Sequence, residues 1–384
     1  MRALHLFANW KWTGPAEPAV NLAAALRGRG VSVEFACGRA VGGLENGIEA
    51  ALAVRGVPAI AGLRLGKHRN PFLDPLDRGA LGRIVAARKP DLIHCNLPND
   101  HRIGLGAAKK SRPRPRVVRS FHDGEPPAST RDARALLGPG SDAVLCVSRA
   151  VAAEIPGRVG TDASKVFFVE GAVDTERFAP RPSLPRLARE YGIGRDDFVV
   201  GVVARMQRHR RFEVFFEAIA AVAAEVPSLK VLLVGRGTWM DEVAVKPAAR
   251  RELAGRVVFT GYRRGEEFVD TLRCMSAKAF LVPGSDGSCR AVREALACGV
   301  PVVATRRGIL PEIVADGETG ILAEETAESF AEAFIRLAKD EALRRRMAKA
   351  ARESARTRFD LATQAERVEG IYRWVLGEGP RPGE

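Results

Sequence analysis

Short apolar, often β-branched runs recur along the chain, separated by longer stretches in which apolar residues return every three or four positions. Ala3–Phe7, Val31–Ala36, Leu92–Cys95, Val117–Phe121, Ala143–Val147 and Val166–Val169 read as strands in the first half. Phe198–Ala204, Lys230–Val234, Val257–Thr260, Lys278–Val282, Val302–Ala304 and Gly320–Leu322 read as strands in the second. Runs this short and this apolar fit parallel strands covered on both faces. Between them, Ala19–Arg27, Ala80–Ala87, Phe212–Val226, Phe268–Cys274, Cys289–Cys298 and Ala327–Lys339 have helical periodicity. The alternation predicts an α/β fold with one Rossmann-like sheet in each half. Two such halves facing each other leave a cleft at the strand carboxyl ends, where these sheets take ligands. Phe178–Pro182 and Gly192–Arg195 bracket a polar helical linker at the seam. The expected division is 1–180, 181–358 and a closing amphipathic helix over 359–376. The last segment, GEGPRPGE, is expected to be disordered.

The stretch Leu281–Leu322 holds the most concentrated chemistry. An apolar run stops at Pro283-Gly284, and the polar loop Ser285-Asp286-Gly287-Ser288 follows. A helix then runs to Cys298 and ends at Gly299 and Pro301. Asp286 in the loop and Glu294 on the helix stand eight positions apart. A helix N-terminus has unpaired N–H groups and the positive end of its dipole, which suits a phosphate. Carboxylates on either side suit hydroxyl-rich groups next to that anion. An anion flanked by polyols describes a sugar nucleotide.

These residues resemble the C-terminal signature of retaining GT-B glycosyltransferases, in particular family 4. That signature has two glutamates separated by seven residues, with Phe-Gly-Leu after the first and Glu-Ala-x-Ala-x-Gly-x-Pro-Val-Val-Ala-Thr from the second. Asp286 stands for the first Glu, and Ser288-Cys289-Arg290 for Phe-Gly-Leu. Glu294-Ala295, Gly299, Pro301–Thr305 and Pro311–Val314 match. The resemblance implies the GT-B architecture: an acceptor-side domain over 1–180, a nucleotide-sugar donor domain over 181–358, and a last helix that crosses back to the first domain.

The site residues follow from the same resemblance. Arg205 matches an Arg, and Arg210 holds a Lys position, in the family loop that neutralises the leaving diphosphate. Glu294 would bind the ribose and Asp286 the transferred sugar. Backbone N–H groups of Gly287, Ser288 and Cys289 would contact the phosphates or the sugar. Gly14 is what remains of a Gly-Gly loop near the donor phosphate. His122, at the end of a strand, stands where the family often contacts the transferred sugar, with a structural histidine as the competing reading. Tyr262 and Arg263 fall on the base-binding loop. Gly235, in Gly235-Arg236-Gly237, lies where the family places its nucleotide, and an incomplete G-x-G is weak support for a dinucleotide site.

Composition narrows the function further. With 384 residues the chain can build two domains. No apolar run reaches the ~20 residues that span a bilayer. The start, MRALHLFANWKW, lacks a secretory h-region, so a cytoplasmic protein is expected, at the inner membrane face if its acceptor is lipid-linked. The six cysteines form no C-x-x-C pair and read as buried apolar side chains, Cys289 excepted. The six histidines have no ligand spacing and there is no D-x-D pair, so no metal and no cofactor beyond the donor itself is expected. The net charge of +14 has three readings. Nucleic acid ranks last, because no zinc finger, RNA-recognition signature or basic heptad region is present. Contact with an anionic membrane, through the basic run Lys109–Arg116, is the second. A solvated arginine-rich surface is the third.

The partners implied are a nucleotide-sugar donor and a carbohydrate or lipid-linked acceptor, as for a glycan or glycolipid of the cell envelope. Two other readings stand beside transfer: a GT-B-like nucleotide-sugar epimerase or hydrolase, and a degenerate scaffold that binds sugar nucleotides without turnover.

Overall fold

A computed structural model describes residues 1–282 and 289–383. The chain divides into two units, Met1–Ala172 with the segment from Leu361, and Val173–Asp360.

In the first unit the strands are β1 (Arg2–Phe7), β2 (Ser32–Cys37), β3 (Leu92–Cys95), β4 (Arg116–Phe121), β5 (Ala143–Cys146) and β6 (Val166–Phe168). They pair in parallel in the order β2-β1-β3-β4-β5-β6. The second unit holds β7 (Phe198–Val203), β8 (Leu229–Val234), β9 (Val257–Gly261), β10 (Ala277–Phe280), β11 (Val302–Thr305) and β12 (Gly320–Ala323). Their order is β12-β11-β10-β7-β8-β9, again parallel. Every expected strand is present, with ends moved by one or two residues.

Alternate residues of the first sheet feed two cores. Ala3, Phe7, Val33 and Phe35 pack with Val20 and Leu26 of the helix Ala16–Gly28. Leu4, Leu6, Ile93 and Val117 pack with Leu81 and Ile103 on the other face. The strands are therefore apolar at nearly every position because neither face meets water.

The division between units falls at Ala172/Val173 and Asp360/Leu361, ahead of the seam expected near Pro180–Pro182. The reason is a set of contacts that the local pattern does not reveal. Val173 N donates to Phe359 O at 2.8 Å, and Arg352 Nη1 donates to Thr175 O at 2.7 Å and Phe178 O at 3.0 Å. The stretch 173–178 thus belongs to the second unit.

The closing helix Leu361–Leu376 packs on the first core through Val368, Ile371 and Tyr372. Its Tyr372 hydroxyl lies in a buried polar chain. It is hydrogen-bonded with His5 Nε2 at 3.1 Å and with His94 Nδ1, and His94 Nε2 is hydrogen-bonded with Ser120 Oγ at 2.7 Å. One imidazole donates to the phenol oxygen and the other accepts its proton. The terminal segment is tied down as well, contrary to expectation. Arg381 donates to Ser164 O at 3.0 Å and Val166 O at 3.2 Å, and lies over the Phe167 ring. These carbonyls flank the edge strand β6 and need partners, which the guanidinium supplies.

Burial lowers the His5 pKa to about 3 and pushes His94 and His101 well below the ordinary 6.5. The unfolded chain takes up protons on these rings below about pH 6.5, whereas the folded chain excludes them. Their contribution is therefore complete above that pH and is lost as pH falls toward about 3. The urea midpoint is expected to fall between about pH 7 and about pH 5; a flat midpoint contradicts this. Tyr372→Phe, which leaves two buried imidazoles without their bridge, should cost about 1–3 kcal/mol in the same assay.

Candidate functional site

In the second unit the strand order reverses between β10 and β7. The chain leaves β7 through the helix Phe212–Glu225 toward β8, and leaves β10 through the helix Arg290–Ala297 toward β11, on the other side. The two loops part here, and such a switch point is where open α/β sheets bind ligands. Both acidic and basic candidate segments start from these two strand ends.

The loop after β7 carries Arg205, Arg208, Arg210 and Arg211, and the structure gives them different tasks. Arg208 grips Glu242 with both arms of its fork, at 2.8 and 2.7 Å, and stacks 3.6 Å over Trp239. Arg211 precedes the helix with φ +56° and pairs with Glu213 at 2.5 Å and with Glu325. Arg210 Nη1 donates to Val282 O at 3.0 Å, which fastens this loop to the root of the one after β10. Arg205 is exposed and has no partner among the described residues. Among the described residues, Arg205 is thus the arginine of this loop left without a partner.

After β10, residues 283–288 lie outside the described residues, and with them the candidates Asp286, Gly287 and Ser288. The next residue, Cys289, is fully buried, with φ +47° just ahead of the helix. This is the family's glycine position, and the left-handed backbone shows why glycine belongs there. Glu294 is 3 % exposed, on the second turn of the helix, and forms an ion pair with Arg290, Nε–Oε1 3.0 Å.

Gly235 and Tyr262 lie at the ends of β8 and β9, further along the same sheet edge. Gly235 has φ +140°, and a Cβ there would meet Ala204 O at 2.0 Å. Its role is to let the loop after β8 approach the backbone next to Arg205. Tyr262 is exposed, with Arg236 and Arg264 against its ring at 5.1 and 4.8 Å. Arg263, expected at the donor, is engaged elsewhere: its Nε donates to Thr260 O at 2.9 Å and its other nitrogens meet Glu190 and Glu267. Arg236 and Arg264, which the motif comparison passed over, have no acidic partner among the described residues. Exposure separates these two from Arg263, and the sequence alone gives no signal for it.

In the first unit the switch lies between β1 and β3. Its organiser is Asp100, which the sequence analysis missed. Asp100 accepts from Ala8 N at 2.7 Å, Asn96 N at 2.9 Å and Leu97 N at 2.9 Å, joining the ends of both strands. An acid at the third position of a helix that starts at Pro98 is a capping signal that was there to be read. Burial pushes this carboxyl up to about 7, against the pull of Arg119 and the three amides. Asn96 Nδ2 donates to Leu6 O at 3.0 Å, which leaves its Oδ1 for His122. His122 Nε2 lies 3.3 Å from that oxygen and must be the donor. His122 is thus oriented through Asn96 at the end of β4. Gly14 is half-buried in the turn before the helix Ala16–Gly28. Trp12 is partly exposed, and Lys11 lies over the Trp10 ring, so neither tryptophan is a core residue.

No group of three or more His, Cys, Asp or Glu side chains gathers in a metal-binding arrangement among the described residues. No helix among them is long and apolar enough to cross a membrane.

Residues 185–354 match the family model described as glycosyl transferases group 1, and residues 14–177 match that of glycosyltransferase family 4. The chain is 31% identical over 202 residues to the N-acetyl-alpha-D-glucosaminyl L-malate synthase of Bacillus anthracis, covering 52% of each chain. It is 32% identical over 224 residues to the GDP-mannose-dependent alpha-(1-6)-phosphatidylinositol monomannoside mannosyltransferase of Mycolicibacterium smegmatis, covering 55% of this chain and 57% of that one. The chain thus spans about half the length of the curated relatives it matches. Among solved structures, Alr3699/HepE of Anabaena in complex with UDP superimposes with a TM-score of 0.80 at 21% identity, over 96% of this chain and 98% of that one.

Asp100→Asn replaces one acceptor oxygen with a donor facing backbone N–H groups and leaves Arg119 without its carboxylate. A stability loss of about 2–4 kcal/mol is expected in urea unfolding at neutral pH. A loss below about 1 kcal/mol would show that other groups close the ends of β1 and β3.

Proposed function

The chain belongs to the glycosyltransferases, its first half to the model of glycosyltransferase family 4 and its second to that of glycosyl transferases group 1, and has the GT-B architecture; from this premise we propose that it moves a sugar from a nucleotide diphosphate sugar to a hydroxyl acceptor. The observation that carries the reading is the division of labour in the loop after β7. Arg208 and Arg211 are held by acids, while Arg205 is exposed at the switch point without a partner among the described residues. A departing nucleoside diphosphate gains negative charge as the sugar–phosphate bond breaks. A fixed guanidinium pointed at that charge stabilises the transition state more than the ground state. We assign Arg210 a share in this task, supported by its bond to Val282 O at the root of the loop after β10. Glu294 accepts the ribose hydroxyls, and Asp286 holds the transferred sugar. His122, oriented through Asn96, contacts the sugar from the first unit.

We take the transfer to be retaining and metal-independent, with the departing phosphate accepting the proton of the incoming hydroxyl. The acceptor is a glycan or lipid-linked glycan of the cell envelope. The relative whose name gives GDP-mannose and a phosphatidylinositol mannoside supports this acceptor class. UDP in the complex of the structural neighbour supports a nucleoside diphosphate as leaving group.

Arg205→Ala is expected to lower kcat by about 10²–10³, and Arg205→Lys by less, since charge survives without the fork. Glu294→Gln should raise the donor KM roughly tenfold with a smaller change in kcat. Steady-state kinetics with a donor that raises the melting temperature tests both; wild-type rates in both alanine and glutamine variants would remove the assignment. The product should keep the anomeric configuration of the donor by NMR, and a chelator should leave the rate unchanged. An inverted product, or loss of activity on chelation, refutes the corresponding part.

A further inference from the structure

One cationic stretch of the first unit carries exposed apolar side chains as well. Residues 58–88 contain six Lys or Arg and two acids, Asp74 and Asp77. Both acids face inward, 5% and 4% exposed. Asp77 accepts from Arg64 N and Leu65 N, each at 2.9 Å. Asp74 accepts from Asn70 N at 3.1 Å and Asn99 Nδ2 at 3.2 Å. The stretch's own carboxylates are thus turned inward, and its outward face is cationic, with Glu34 pairing Arg88 at its far end, Oε1–Nη1 3.3 Å.

Two large apolar side chains project from the same face. Phe72 is 83% exposed and Leu76 61%. Their exposure is imposed by the backbone. Asn70 Oδ1 accepts from Phe72 N and Leu73 N, each at 3.0 Å, and Asn99 Nδ2 donates to Gly66 O at 2.9 Å from beneath. The loop is fastened down, and the ring is held out. Leu76 and Arg83 lie seven residues apart on the helix Asp74–Arg88, on one exposed side. Lys67, Arg69 and Arg83 are exposed and have no ion-pair partner among the described residues.

We propose that this face docks on an anionic lipid bilayer, with Phe72 and Leu76 entering the interface and Lys67, Arg69 and Arg83 at the level of the phosphates. Apolar side chains ringed by lysine and arginine suit a headgroup region, where stems lie in apolar surroundings and charges reach phosphate. Two side chains at a loop tip fall far short of the roughly 800 Å² per side that a stable protein partner needs. The run Lys109–Arg116 is the poorer candidate. None of its residues is an exposed large apolar side chain, and Arg114 and Arg116 pair with Asp142 at 3.6 and 3.2 Å.

Co-sedimentation of the full chain with vesicles tests this. Binding is expected to mixed phosphatidylcholine–phosphatidylglycerol vesicles at low salt, and not to phosphatidylcholine alone. F72S/L76S and K67Q/R69Q/R83Q should each lower the partition coefficient about tenfold, with unchanged melting temperature. K109Q/K110Q should bind like the parent chain. Phe72→Trp should give an emission that shifts to the blue on adding the mixed vesicles. No binding by the parent chain, or parent-like binding by both patch variants, overturns the proposal, as does an unshifted emission. Donor turnover with a soluble acceptor is expected to be untouched by the patch variants, so failure here leaves the transfer reading standing.

Discussion

Where neighbouring parallel strands send their crossover helices toward opposite edges, the connections at their carboxyl ends part, and this one topological constraint organises both units. At β1 and β3, and again at β7 and β10, backbone groups at the strand ends take their partners from side chains of the connections. Each unit has its own solution. In the first, the Asp100 carboxylate gathers three amides from two strand ends. In the second, Arg210 reaches a carbonyl at the end of β10. Both solutions fix loops by tying them to the strand ends.

Charge in such an opening has to be sorted. Four arginines within seven residues would repel one another and stay solvated if they were equivalent. Glu242, Glu213 and Glu325 remove that degeneracy by holding Arg208 and Arg211. Gly235 completes the arrangement, because any side chain there would press on Ala204 and move the loop that presents Arg205. After β9 the same sorting engages Arg263 and leaves Arg236 and Arg264 against Tyr262. A residue matched to a motif is therefore not by itself a ligand contact; its neighbours decide.

The first unit stores polar groups deep in its sheet. His5, His94, Ser120 and Tyr372 are buried and hydrogen-bonded across β1, β3, β4 and the closing helix. Hydrogen-bonded networks of this kind fix register more than they add stability, since each group gave up water to enter and His5 Nδ1 finds no partner among the described residues. Here the consequence is that the last helix has one seat. A sliding of one turn would leave two imidazoles and a phenol without partners.

Much of this was legible from residue order alone. The twelve strands, the helix after the acidic loop, the closing helix and the family to which the chain belongs are written in local signals: unbroken apolar runs, helical periodicity, and Gly or Pro at the breaks. Such signals report how each position meets water, which is largely a property of the residue and its near neighbours. Partner choice is not. Whether Arg205 or Arg208 is left open, whether Asp100 is an ordinary helix acid or the junction of two strands, whether Arg381 holds the tail on β6, and whether Asp74 and Asp77 cancel the charge around Phe72 all depend on groups tens to hundreds of positions away. Only the folded chain brings those groups within hydrogen-bond reach, and so only the tertiary structure decided them.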